Sequence, residues 1–127
     1  SVWFQGRGAW TFATLFNTVT RNPEWLDAAR SGIEFLRRHG ASPEGKLYFT
    51  VTRDGRPLRM RRYVYSEAFA AMANAAYARA TGDDRAAGDA IRFFDAYLDR
   101  SFTPGRMPPK VEPATRPMKG VGPLMFS

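Results

Sequence analysis

An arginine set between two glycines, with aromatic residues on either side, opens the chain as Val2-Trp3-Phe4-Gln5-Gly6-Arg7-Gly8-Ala9-Trp10. A guanidinium binds oxyanions and aromatic faces suit the flat surfaces of sugar rings, so the stretch reads as a cation held in a concave pocket by three aromatics and an amide. The same arginine also reads as a residue of a helix N-terminal turn, where its charge opposes the helix dipole and invites an anionic partner. The residues alone leave both readings open. Glu67 is the second candidate: it follows Ser66, expected to cap a helix, and stands next to Tyr65. There it is either a helix-dipole residue or an acid on the rim of a site. His39, the one histidine, falls in a helix C-terminal turn, which the dipole alone explains.

Other chemistries lack their residues. Serine, histidine and acid do not converge, no His/Asp/Glu spacing suggests a metal, and with no cysteine there is neither a thiolate ligand nor a disulfide. Gly6-Arg7-Gly8 lacks the preceding strand and third glycine of a phosphate loop. Most remaining acids have structural places. Glu24, Asp83 and Asp84 belong to helix starts and Asp54 to a turn, while Asp27, Glu34, Asp89, Asp95 and Asp99 fall on solvated helix faces.

The elements that must position Arg7 and Glu67 are mainly helical. Phe12, Phe16 and Val19 recur at helical spacing in a first helix over about 7–20. Asn22-Pro23-Glu24 supplies a cap, a first-turn proline and an acid for a second over about 23–39, whose buried face is Leu26, Ala29, Ile33 and Leu36 and whose left-handed stop is Gly40. The period then changes to two: Leu47, Phe49 and Val51 alternate with polar residues, and Asp54-Gly55 turns a β-hairpin over about 46–62. A third helix, over about 66–81, carries Phe69, Met72, Ala73, Ala76 and Tyr77. A fourth, over about 83–102, is expected to face Ala87, Ala90, Ile91, Phe94 and Leu98 inward. Six prolines between Thr103 and Pro123 make 103–123 a long loop.

The order is helix pair, ribbon, helix pair, loop. Asn22 to Ala29 and Gly82 to Ala90 are weakly similar at a separation of about sixty residues, longer than the roughly 34 of tetratricopeptide units and suited to helical hairpins in an (α/α) toroid. The net charge of +7 is spread over separate arginines rather than gathered into a nucleic-acid footprint. No run of about 18 apolar residues offers a membrane span. A chain beginning at Ser1 and ending in an apolar Met125-Phe126-Ser127 reads as a piece of a longer protein, with the cytoplasm as the expected compartment.

Five ordered stretches carry a resemblance: Phe4-Gln5-Gly6-Arg7, Tyr48 to Pro57, Tyr65-Ser66-Glu67-Ala68-Phe69, Ala78-Arg79-Ala80-Thr81-Gly82 and Arg116-Pro117-Met118. Together they resemble the N-acylglucosamine 2-epimerase family, also called the renin-binding protein family. The resemblance implies an early part of an (α/α)6 barrel with a small β-hairpin, and isomerase chemistry at C2 of an open-chain sugar. A base would remove the proton beside the carbonyl, an enediolate would form, and an acid would return a proton on the opposite face. By the same resemblance Arg7 stabilises charge on the substrate oxygen, Tyr65 binds substrate, Glu67 binds or orients, and Met118 lines the pocket. The implied partner is an N-acylated hexosamine or a hexose, without cofactor, metal, nucleic acid or membrane; a homodimer and a nucleotide effector stay open. The family's two proton-transferring histidines lie further along the barrel and His39 matches neither, so the chain by itself is expected to be inactive. Two alternatives keep the barrel: a glycoside hydrolase, which needs a second carboxylate beside Glu67, and a non-catalytic sugar- or protein-binding scaffold.

Overall fold

The computed structural model describes residues 1–60, 64–106 and 124–125. Its elements in chain order are α1 (Val2–Thr18), α2 (Pro23–His39), β1 (Thr50–Val51), β2 (Pro57–Arg59), α3 (Tyr65–Thr81) and α4 (Asp84–Phe102). Two helical hairpins, α1–α2 and α3–α4, are joined by direct packing of α1 on α3. These two helices run in the same direction: Gly6 meets Phe69 near their beginnings, and near their ends Asn17 Nδ2 donates to the Ala76 carbonyl at 3.0 Å.

Residue size decides this arrangement. The seam side of α1 is Gly6, Ala9 and Ala13, and α3 buries Ala68, Ala70, Ala71 and Ala73, so the two backbones approach closely. α3 buries residues almost all round its first half, which suits a helix packed against both α1 and α4. α2 and α4 have one buried stripe each and lie outside. Gly32 of α2 sits against Ala9 of α1 in the same side-chain-poor manner. Asn22 caps α2 by accepting from Glu24 N–H, and Asp83 caps α4 by accepting from Arg85 and Ala86 N–H, as the sequence indicates.

Several expectations shift. α1 begins at Val2, with Ser1 Oγ accepting from Phe4 N–H, so Arg7 is in the second turn and not at the helix start. Phe12 is exposed because Gly6, Ala9, Ala13 and Phe16 take the interior face, and Val19, just past the end of α1, is exposed as well. α3 begins at Tyr65, and Ser66 does not cap it; its Oγ donates instead to the Tyr48 carbonyl. Gly40 ends α2 with right-handed φ, pressed against the Leu36 carbonyl. On α4 the buried stripe is Ala86, Phe93 and Tyr97, one position earlier than expected. Ile91 is thereby 65% and Phe94 41% exposed, and both line an open apolar groove with Ala68, Met72 and Ala75 of α3. Asp89 is not a solvated acid: with Asp83 it holds Arg37, tying the end of α2 to the start of α4. The expected loop is described only to Arg106, and 107–123 lie outside the described residues.

The β-hairpin is shorter than expected, with Thr50 opposite Arg59 and Val51 opposite Pro57. Its turn is built by Thr52, whose backbone pairs with Arg56 at 2.8 Å while its Oγ1 accepts from Arg56 N–H. Gly55 has φ +90° and is packed directly on the His39 ring, so the ribbon rests on the end of α2. His39 thus stands in the last turn of α2 and also supports the ribbon turn. No helix among the described residues is long and apolar enough to cross a membrane.

Two substitutions test these packings. Gly55→Ala places a side chain at positive φ, which costs about 1–2 kcal/mol, and also drives it into His39. The unfolding midpoint should fall, and trypsin should cut faster after Arg53 and Arg59 in native buffer; an unchanged cleavage rate would remove His39 as the ribbon's support. Gly6→Ala puts a Cβ at 3.0 Å from Phe69 Cβ and 3.1 Å from its backbone carbon, neither of which is a flexible side-chain end. Overpacking of this kind costs about 1–3 kcal/mol. A lower melting temperature is expected for the full-length protein, and wild-type stability would contradict the seam described here.

Candidate active site

Helical spacing assembles the site from two pairs. Trp3 and Arg7 are four residues apart on α1, Tyr65 and Phe69 four apart on α3, so each pair shares a helix face. Because α1 and α3 run side by side in the same direction, the two faces meet. The Trp3 ring stacks on Phe69 at 5.7 Å with planes 13° apart and lies 5.8 Å from the Tyr65 ring. The Arg7 guanidinium carbon is 5.5 Å from the Phe69 ring centroid. Phe4, largely exposed, continues the aromatic surface at 6.4 Å from Trp3.

The result is an aromatic platform with a cation at its edge. Arg7 is exposed, and no carboxylate among the described residues lies within ion-pair distance of it. Its charge is thus available to a ligand oxygen, and Phe69 restricts the guanidinium's range. The Trp3 indole N–H is buried without a hydrogen-bond partner among the described residues.

Trp10 and the Gln5 amide, expected around Arg7, lie apart from it. Trp10 packs on the core formed by Ala9, Ala13 and Ile33. Gln5 lines a different cleft of about 420 Å³, between the start of α1, Phe35 of α2 and Val51-Thr52-Arg53 of the ribbon. Positions 5 and 7 project from nearly opposite sides of a helix, which accounts for the separation. Phe69, read from sequence only as a core residue, is the ring that joins Arg7 to Trp3. The signal for it was the equal four-residue spacing of the two pairs.

Glu67 lies behind this platform. Its side chain is 4% exposed; Oε1 accepts from Arg100 of α4 and from the Leu47 N–H at 3.4 Å, and Oε2 has no partner among the described residues. Met118 lies outside the described residues. Burial pushes the Glu67 carboxyl above its ordinary value of 4.5; the Arg100 charge and the backbone N–H groups pull it back without cancelling the rise. A carboxyl with a raised pKa in the folded state binds its proton more tightly there than when unfolded. Its contribution to stability is full below pH 4.5 and declines as pH rises through the folded-state value. Measured against Glu67→Gln, the wild-type protein should therefore lose relative stability as pH is raised from 4 toward neutrality in urea titrations. A difference that grows with pH would mean that Arg100 outweighs burial.

Comparison with known proteins places the chain. The sequence model described as N-acylglucosamine 2-epimerase (GlcNAc 2-epimerase) matches residues 1–119. The N-acylglucosamine 2-epimerase of Bos taurus is 42% identical over 98 residues, which is 74% of this chain and 23% of the relative; that of Mus musculus is 42% identical over 101 residues, 76% and 24%. A cellobiose 2-epimerase of Ruminococcus albus is 31% identical over 87 residues, 68% of this chain and 22% of the relative. The chain therefore spans about a quarter of the length of the curated relatives it matches. The match across the platform, the ribbon and both hairpins establishes that the chain belongs to the N-acylglucosamine 2-epimerase family.

Proposed function

We propose that the full-length protein is a sugar 2-epimerase acting on an N-acylated hexosamine, and that this chain supplies one wall of its active site within an (α/α)6 barrel. The observation that carries the reading is the exposed Arg7 guanidinium, without a carboxylate partner among the described residues, held at Phe69 beside the Trp3–Tyr65 surface. The higher identity to the N-acylglucosamine enzymes than to the cellobiose enzymes favours the N-acylated substrate.

In this mechanism the open-chain sugar lies against the aromatic platform with its C1 carbonyl oxygen toward Arg7. Removal of the C2 proton moves negative charge onto that oxygen as the enolate forms, and a fixed guanidinium stabilises the charge where it develops. Tyr65 binds a sugar hydroxyl, and Met118 contributes to the pocket wall. Return of a proton to the other face of C2 inverts the centre. His39 is engaged with Phe35 and the ribbon turn, so proton transfer falls to residues beyond this chain.

The deciding experiment incubates the full-length protein with N-acetylglucosamine or N-acetylmannosamine in deuterated water and follows deuterium entry at C2 by NMR. Exchange accompanied by interconversion of the two sugars is expected; absence of exchange together with hydrolysis of an N-acetylglucosaminide in a parallel incubation, or sugar binding without exchange, would replace this reading with one of the alternatives. Arg7→Met should lower kcat/KM by about 100- to 1000-fold, the range seen when one donor to a developing oxyanion is removed, with Arg7→Lys intermediate.

A further inference from the structure

Buried Glu67 faces Arg100 from an element that carries no part of the platform, and the pair meets three segments at one point. α3 begins without a side-chain cap, so something else must hold its first turn. Ser66 donates to the Tyr48 carbonyl, and Glu67 accepts from the Leu47 N–H and from Arg100 in the last turn of α4. The neighbouring Phe49 carbonyl in turn accepts from the Val2 N–H at 2.9 Å, the first residue of α1. One carboxylate thus ties α3 to α4 and to segment 47–49, and that segment holds the start of α1. Tyr65 and Phe69 lie two residues before and after Glu67; Trp3 lies one residue after Val2.

Two charges buried this deeply are an expensive way to obtain stability, since desolvation offsets most of their attraction. A charged hydrogen bond from the Arg100 guanidinium does supply something an apolar contact lacks, namely one direction of approach that sets the rotation of the turn it grips. We propose that Glu67 and Arg100 form a positioning brace that sets Tyr65 and Phe69 of α3 against Trp3 and Arg7 of α1, and that catalysis at the platform depends on it. The inference rests on the epimerase reading of the platform. Arg100 does not touch substrate in this scheme; it acts through Glu67.

The test uses the full-length protein carrying Glu67→Gln together with Arg100→Met, which removes both buried charges at similar volume and so leaves neither unpaired. The melting temperature should stay close to that of the wild type while kcat for C2 exchange falls about 100-fold, the scale of a misplacement near 1 Å, with KM changed much less. Wild-type kcat in the folded double variant would overturn the brace. If the double variant does not fold, Arg100→Lys decides: it keeps the charge and loses the rigid, planar direction of the guanidinium N–H, so a kcat at least about tenfold lower supports the brace and an unchanged kcat overturns it. The Trp3 indole N–H resonance separates this inference from the functional reading. Should the wild-type protein exchange no C2 proton, the epimerase reading fails, and the brace then stands if the resonance moves in either variant and falls if it does not.

Discussion

The seam between α1 and α3 is the constraint on which the rest depends. Gly6, Ala9 and Ala13 on one side and alanines of α3 on the other let two parallel helices meet with almost no side chain between them. Such contacts gain dispersion energy from many atom pairs and little from any single one. They also fix the relative height of the helices, because a backbone cannot retreat as a flexible side chain can. The platform is a consequence: Trp3 and Arg7 meet Tyr65 and Phe69 only because the helices are this close and run in the same direction.

Around the seam the outer elements divide the remaining work. α2 and α4 cover the far sides of α1 and α3 with amphipathic stripes, and Arg37, held by Asp83 and Asp89, fastens one hairpin to the other at low exposure. The ribbon rests its turn on His39 and sends Phe49 to the start of α1. Segment 47–49 is therefore both the root of the ribbon and a joint between helices. The family relationship accords with this economy, since the matched region includes the platform, the ribbon and the brace together.

Much of the architecture was legible from local rules. Asn22-Pro23-Glu24 and Asp83 act through bonds within a few residues, and Asp54-Gly55 turns the chain by its own conformational preference, so sequence suffices for them. The registers of α1 and α4 were harder. In both, large apolar residues such as Phe12, Ile91 and Phe94 outweigh alanines in any periodicity count, whereas close helix packing selects the alanines for the interior. Arg7 was legible as a candidate because a cation among aromatics is conspicuous. Its actual partner Phe69 belongs to a helix more than sixty residues later, and only tertiary structure pairs them. Arg100 left no trace near Glu67, since a contact across 33 residues has no local signature.

The exposed ribbon offers a different kind of freedom from the seam. Leu58 and Met60 face solvent, all of β2 is exposed, and the cleft beside it is lined by Gln5, Thr52 and Arg53 rather than by the packed alanines. Residues there can change size and charge without moving α1 against α3. A change in this rim is met by solvent, while the seam beneath it has no room for an added methyl group at Gly6 or Gly32 unless a helix moves.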